Sequence, residues 1–357
     1  MHIDDLLRLA VDSRASDVHL RVGLPPVFRV DGSLIFQYEI PEMTADGTRQ
    51  ILEQITTQEE RNAFDVEMEL DFAYSVEGVS RFRVNAYYQM GTVALVFRII
   101  TSEIPTIDDL GMPDICKDLV LESDGLVIVT GPTGCGKSTT LAAMLGYLNA
   151  RQTRKVITIE DPIEYIHHDN QCIFSQRENG TDTVSFASAL KHALRQDPDV
   201  IMVGEMRDLE TISTALTAAE TGHLVMTTLH TPGVAQAMDR MIDVFPPHQQ
   251  QQIRMQLAST VKGALYQALI PSVDERGRVA AVEVLVATTA IKAQIREGKT
   301  HQILGTIETS TEYGMQTLDQ ALIQLYKAKK ISRDRVFEWS RDPEGTKRIL
   351  DGMLLKG

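Results

Sequence analysis

The run Gly131-Pro132-Thr133-Gly134-Cys135-Gly136-Lys137-Ser138-Thr139 holds three glycines, a lysine and a hydroxyl at the spacing of a phosphate-binding loop. Successive backbone N–H groups in such a loop, together with the positive end of a following helix, cradle phosphate oxygens, and glycines keep side chains out of the approach path. Lys137 is then placed to reach the β- and γ-phosphates of a bound nucleotide and Ser138 to help hold Mg²⁺. Three further polar clusters follow. Glu160, Asp161 and Glu164 lie within five residues of one another, and a carboxylate near a γ-phosphate can orient or deprotonate an attacking water. Glu164 is the preferred catalytic candidate, with Glu160 and Asp161 as Mg²⁺ or positioning groups, although the same acids would equally cap the start of the next element. Glu205, after Gly204, is of the type that holds the metal opposite the loop hydroxyl. His230 could donate to a γ-phosphate or be a structural histidine, and its type alone does not separate the two.

The elements that must position these groups read clearly. Apolar runs at 126–129, 156–159, 200–203 and 224–227 alternate with helical patterns from residue 125 onward, as in a parallel sheet covered on both faces. Each run ends beside one of the polar clusters, where open α/β sheets bind ligands. The first hundred residues differ. Ile3, Leu6, Leu7 and Ala10 have helical spacing, Val18, Leu20 and Val22 alternate with polar residues, and turns are expected at Pro25-Pro26 and Asp31-Gly32. One helix is expected over 45–64, and 81–88 with 93–100 reads as a hairpin turning at Met90-Gly91. The expectation is an α/β chain: a small α+β domain over 1–100, a linker over 101–112 and a phosphate-loop domain with C-terminal helices over 113–357.

At 357 residues, with 43% hydrophobic and 24% charged, the chain has the composition of a soluble globular protein. A formal charge of −14 argues against a nucleic-acid partner. Cys116, Cys135 and Cys172 have no metal-binding or disulfide spacing and suit a reducing cytoplasm. Neither a secretory signal nor an 18-residue apolar run is apparent, so membrane contact is expected only through partners.

The four clusters occur in family order. The chain resembles the secretion ATPases of the type II and type IV pilus superfamily and, within it, the pilus retraction ATPases. Residues 158–164 resemble the family's Asp box, 197–208 its Walker B box, 222–231 its His box and 240–246 the stretch after it. The resemblance implies a PAS-like N-terminal domain, a RecA-like P-loop domain and a homo-hexameric motor that uses ATP and Mg²⁺. It further implies cytoplasmic placement, peripheral at the inner membrane through the platform protein of a pilus machine. It raises Glu164 to catalytic base, makes His230 a participant, and favours Arg81, Arg83 and Arg98 of the hairpin as an arginine-finger source, with Arg207 and Arg240 as competitors. Without the resemblance these three would be ordinary strand arginines. Residues 290–299 resemble the AIRNLIREGK motif that marks retraction ATPases, with Lys292, Arg296 and Lys299 expected as one basic helical stripe over apolar Ile291 and Ile295. An assembly or secretion motor would share all of this chemistry. A nucleic-acid motor and a non-turnover switch are the more distant alternatives.

Two features depart from the family pattern. Pro232 stands where an Asn-containing segment is usual, removing a backbone donor beside His230. Cys135 sits at the helix start, where a lowered pKa would make it oxidisable, while a silent small residue is the plainer reading.

Overall fold

The computed structural model describes residues 2–30, 32–100, 103–274 and 277–354, which divide into compact units over 1–103 and 104–357. Asp31 of one expected turn, and Thr101 and Ser102 of the expected linker, lie outside the described residues. Ile107 and Met112 are buried in the core of the second unit, and Thr106 and Asp109 exchange side-chain and backbone hydrogen bonds that close the turn between them.

The first unit runs α1 (Ile3–Asp12), β1 (Asp17–Leu20), β2 (Val27–Val30), β3 (Ser33–Phe36), α2 (Ala45–Ile55), α3 (Gln58–Glu67), β4 (Glu69–Val76), β5 (Ser80–Gln89) and β6 (Thr92–Ile100). Its described strands form one sheet in the order β3-β2-β1-β6-β5-β4. α1 buries Ile3, Leu6, Leu7 and Ala10, the stripe legible in the sequence. The expected helix over 45–64 is instead two. Thr57 and Glu60 form a capping box that starts α3, breaking what hydrophobic spacing alone reads as continuous. The β5–β6 hairpin turns at Met90 and Gly91, both left-handed.

In the second unit come α4 (Ile115–Leu121), β7 (Gly125–Thr130), α5 (Lys137–Asn149), β8 (Lys155–Glu160), β9 (Ile173–Glu178), α6 (Phe186–Ala193), β10 (Val200–Val203), α7 (Leu209–Glu220), β11 (Leu224–Leu229), α8 (Val234–Asp243), α9 (Pro247–Thr260), β12 (Val261–Pro271) and β13 (Arg278–Val286). The helices α10 (Thr289–Arg296), α11 (Ile303–Thr309), α12 (Leu318–Lys327), α13 (Arg333–Trp339) and α14 (Pro343–Leu354) complete it. The described sheet order is β13-β12-β7-β11-β10-β8-β9, parallel apart from the antiparallel β12–β13 pair.

Alternation explains why this sheet is covered on both sides. Leu126, Ile128, Ile157, Ile159, Ile201, Val203 and Val225 face one core cluster, while Val127, Val129, Val156, Val200, Met202, Leu224 and Met226 face the other. Each such side chain contributes about 1.5–3 kcal/mol on burial, which makes the central strands a rigid base for the loops at their carboxyl ends. Among the described residues no helix is long and apolar enough to cross a membrane.

α10 buries Ile291 and Ile295 as expected, but ends at Arg296, and Gly298 then takes a left-handed conformation. Lys299 therefore leaves the helical stripe and pairs with Glu297 at 2.8 Å. Lys292 and Arg296 are what remain of it.

Candidate active site

The carboxyl ends of β7, β8, β10 and β11 converge on one cleft of about 620 Å³, lined by the 133–139 loop, Glu160, Asp161, Glu164, Glu205 and His230 among others. Every cluster singled out in the sequence of this unit reaches it.

The loop joins β7 to α5. Gly131 has φ +145°, and a Cβ there would stand 2.5 Å from the Gln267 carbonyl and 2.7 Å from Cys135 Sγ, so the loop must pass too close for any other residue. Lys137 Nζ donates to the carbonyls of Gly131 and Pro132, both at 3.0 Å, which folds its stem across the loop and keeps the ammonium at the cleft. Thr139 and Tyr165 share a hydroxyl hydrogen bond of 2.9 Å, joining the first turn of α5 to the segment that carries Glu164.

A brace that sequence reading missed supports this loop. Gln267 of β12 is buried, donates from Nε2 to the Cys135 carbonyl at 2.7 Å, and accepts at Oε1 from Thr140 Oγ1 at 2.7 Å. Only the unusual presence of a glutamine inside the apolar run 264–270 could have signalled it. The Cys135 thiol is buried, and burial pushes its pKa up, with nearby Lys137 only partly opposing. The lowered pKa considered from its helix-start position is therefore corrected: desolvation outweighs the helix end.

Glu160 ends β8 and is 7% exposed. Its Oε1 accepts from Thr158 Oγ1 at 2.6 Å and Gln176 Nε2 at 3.2 Å. Burial pushes its pKa up to about 7, against those hydrogen bonds. Asp161 is exposed and held by Asn179 Nδ2 at 3.0 Å, and Glu164 is exposed at the cleft.

Glu205 leaves β10. Its Oε2 lies 2.6 Å from Arg207 Nη2 and 3.5 Å from His230 Nε2. Burial alone would raise its pKa, but the Arg207 hydrogen bond and the charges of His230, Arg207 and Lys137 hold it below the usual value, so the carboxylate is ionised at neutral pH. Thr228 Oγ1 donates to the Gly204 carbonyl at 2.5 Å, fixing the β10 exit against β11. One residue beyond His230, Thr231 donates from its N–H to Thr130 Oγ1 at 2.9 Å, so the His230 segment is fastened to the residue that opens the phosphate loop. Arg240 is exposed on α8 and does not line the cleft.

Among the described residues no three His, Cys, Asp or Glu side chains converge as a closed metal site. Glu205, ionised, and the Ser138 hydroxyl line the same open cleft, donor types that could hold a small divalent cation which keeps water and phosphate ligands.

In the first unit, Arg81 and Arg83 alternate with buried Phe82, Val84 and Ala86 along β5, and Arg83 lies directly opposite Arg98 on β6. All three arginines thus share one face of the hairpin. Arg98 Nε donates to buried Asp17 at 2.9 Å, and Arg83 lies 3.8 Å from Asp71. Burial would raise the Asp17 pKa, but the Ser16 hydroxyl and Arg98 keep it low.

The chain is similar to known proteins over nearly its whole length. The family described as Type II/IV secretion system protein matches residues 1–330. The Type IV pilus retractation ATPase PilT of Pseudomonas aeruginosa is 46% identical over 344 residues, spanning 96% of this chain and 99% of the relative. The Type IV pilus ATPase PilU of the same organism is 45% identical over 332 residues, 93% of this chain and 87% of the relative. A crystal structure of the pilus retraction motor PilT with bound ADP superposes with a TM-score of 0.89 at 43% identity, covering 98% of this chain and 99% of the other. The likeness spans both units, so the fold class is the expected one, a PAS-like α+β domain followed by a RecA-like P-loop domain. With phosphate loop, acidic strand ends and histidine loop gathered in one cleft, the chain belongs to the type II/IV secretion system protein family.

Proposed function

We propose that the protein is a homo-hexameric ATP-hydrolysing motor that powers pilus retraction, working in the cytoplasm against the inner-membrane platform of a pilus machine. The observation that supports it most is the single cleft in which Lys137, Glu164, Glu205 and His230 meet, in a chain whose similarity to a retraction ATPase extends over nearly its whole length.

In this reading the amides of 131–139 and the Lys137 ammonium bind the triphosphate of ATP. Ser138 and Glu205, with Asp161 nearby, would hold Mg²⁺. That cation supplies charge neutralisation on the phosphoryl oxygens. Glu164, exposed at the cleft, orients the attacking water and takes its proton. Glu160, nearly enclosed, positions the Asp161–Glu164 segment through the Gln176 bridge, whose Nε2 also donates to the Tyr165 carbonyl at 2.8 Å. His230 sits on Glu205 and conveys changes there to the loop fastened at Thr130. The shared arginine face of β5 and β6 supplies an arginine to a neighbouring subunit's phosphates, an effect worth roughly 10³–10⁵ in rate in related chemistry.

The test is complementation of a retraction-null strain with wild type, Glu164→Ala and Arg296→Ala. Wild type restores twitching, Glu164→Ala loses both turnover and twitching, and Arg296→Ala keeps turnover while losing twitching. Restoration by Glu164→Ala, or fibre growth in place of retraction with wild type, contradicts the reading.

A further inference from the structure

We propose that Arg341, between α13 and α14, is a positioning residue for ATP turnover: its guanidinium pins the loop that carries His230 to the C-terminal helices.

The loop leaving β11 reads His230-Thr231-Pro232-Gly233 before α8 starts at Val234. Arg341 Nη2 donates to the Pro232 carbonyl at 2.6 Å, and Nη1 lies 2.8 Å from Glu283 Oε2. Glu283, on β13, is 1% exposed, and its other oxygen accepts the Val234 N–H at 2.9 Å, capping α8. The guanidinium also lies over the Tyr266 ring, 5.0 Å from its centre. Gly233 makes the room: a Cβ there would fall 2.8 and 3.0 Å from the two terminal nitrogens of Arg341. On the far side, Asp319 at the start of α12 accepts the backbone N–H groups of Arg341 and Asp342 at 2.8 and 3.0 Å. Hydrogen bonds and the Thr231–Pro232 peptide link thus run from Thr130, at the mouth of the phosphate loop, to Arg341 and, through Asp319, to the start of α12.

This arrangement needs both prongs of an arginine. A planar fork can bond a carbonyl and a carboxylate at once, while an ammonium is a single point on a flexible stem. Here the carboxylate is buried while the guanidinium is part-exposed, and for an ion pair with a buried member, setting one geometry for the segment it touches is better attested than a net gain in stability. The segment here holds the imidazole that faces Glu205 at 3.5 Å. Movement of α12–α14 would therefore be felt at His230, and a change at His230 would be felt in those helices.

The inference rests on the ATPase reading, and the experiment separates the two. Steady-state phosphate release is measured for wild type, Arg341→Lys, His230→Ala and the double variant. Arg341→Lys lowers kcat roughly ten-fold with KM for ATP within about two-fold, and the double variant is no slower than His230→Ala alone, because both act through one loop. Losses that multiply, or wild-type turnover in Arg341→Lys, overturn it. Asp319→Asn, which loosens the Arg341 backbone while leaving the Arg341–Glu283 pair intact, shifts kcat in the same direction should Arg341→Lys fold poorly, and an unchanged kcat there also overturns it. Amide hydrogen exchange over 231–235 provides a readout independent of turnover. Faster exchange in Arg341→Lys supports the tie and unchanged exchange refutes it, even if wild type releases no phosphate and the ATPase reading itself falls.

Discussion

Replacing Glu160 with glutamine should make the protein more stable as pH rises. The carboxyl is nearly enclosed at the end of β8, and burial, opposed by hydrogen bonds from Thr158, Gln176 and the Glu164 backbone and only weakly aided by the Glu164 charge, lifts its pKa from 4.5 to about 7. An acid whose pKa is higher in the folded than the unfolded chain binds more protons when folded, so its contribution is most favourable below the unfolded value and is lost as pH rises through the folded one. The interval from 4.5 to about 7, at about 1.4 kcal/mol per pH unit, amounts to roughly 3 kcal/mol, developed across that window and complete by about pH 8. Glu160→Gln keeps an oxygen for the Thr158 hydroxyl at 2.6 Å and carries no charge at any pH, so it removes the penalty without opening a cavity. Urea unfolding of both proteins at pH 5 and pH 8 reads the difference. The variant should gain about 2–3 kcal/mol over wild type on going from pH 5 to pH 8. A stability difference that is the same at both pH values would refute the argument, and one that moves against the variant would show that Glu160 is needed as a carboxylate in the folded state.

Three other outcomes follow from the loop. Gln267→Leu leaves the Cys135 carbonyl and Thr140 hydroxyl without their partner, and nucleotide affinity measured by fluorescent-nucleotide titration should fall roughly ten-fold; an unchanged Kd would remove Gln267 from the site. Gly131→Ala, whose Cβ meets the Gln267 carbonyl at 2.5 Å, should abolish nucleotide binding and lower the thermal midpoint, whereas Gly134→Ala, with nothing within 4 Å, should cost only about 1 kcal/mol of backbone strain. Peroxide titration should inactivate wild type and Cys135→Ser equally, because burial holds the thiol protonated; selective protection by serine would contradict that.

What could be read ahead of the structure was local. The four buried strands, the phosphate loop at the end of the first and the acid or histidine at the end of each of the other three are contiguous in sequence, so type and spacing suffice to place them on one edge of a sheet. β9 and the β12–β13 pair escaped notice for a physical reason: β9 carries Ser175, Gln176 and Arg177 at the sheet edge, and β12 is interrupted by Gly263 and Gln267, so neither has a clean apolar run. The Gln267 brace acts across 132 residues, and Arg341 reaches Pro232 across 109, distances over which no periodicity carries information. α3 was hidden by its own cap, because Thr57 interrupts a helical pattern that hydrophobic spacing alone continues.

The central claim is that the acids gathered at this cleft split ATP. The most direct measurement is phosphate release and nucleotide binding on purified wild type, Lys137→Ala and Glu164→Gln. The account predicts sustained release by wild type, loss of both binding and release in Lys137→Ala, and retained binding with release reduced about 10²- to 10⁴-fold in Glu164→Gln. Release by Glu164→Gln at the wild-type rate would contradict it.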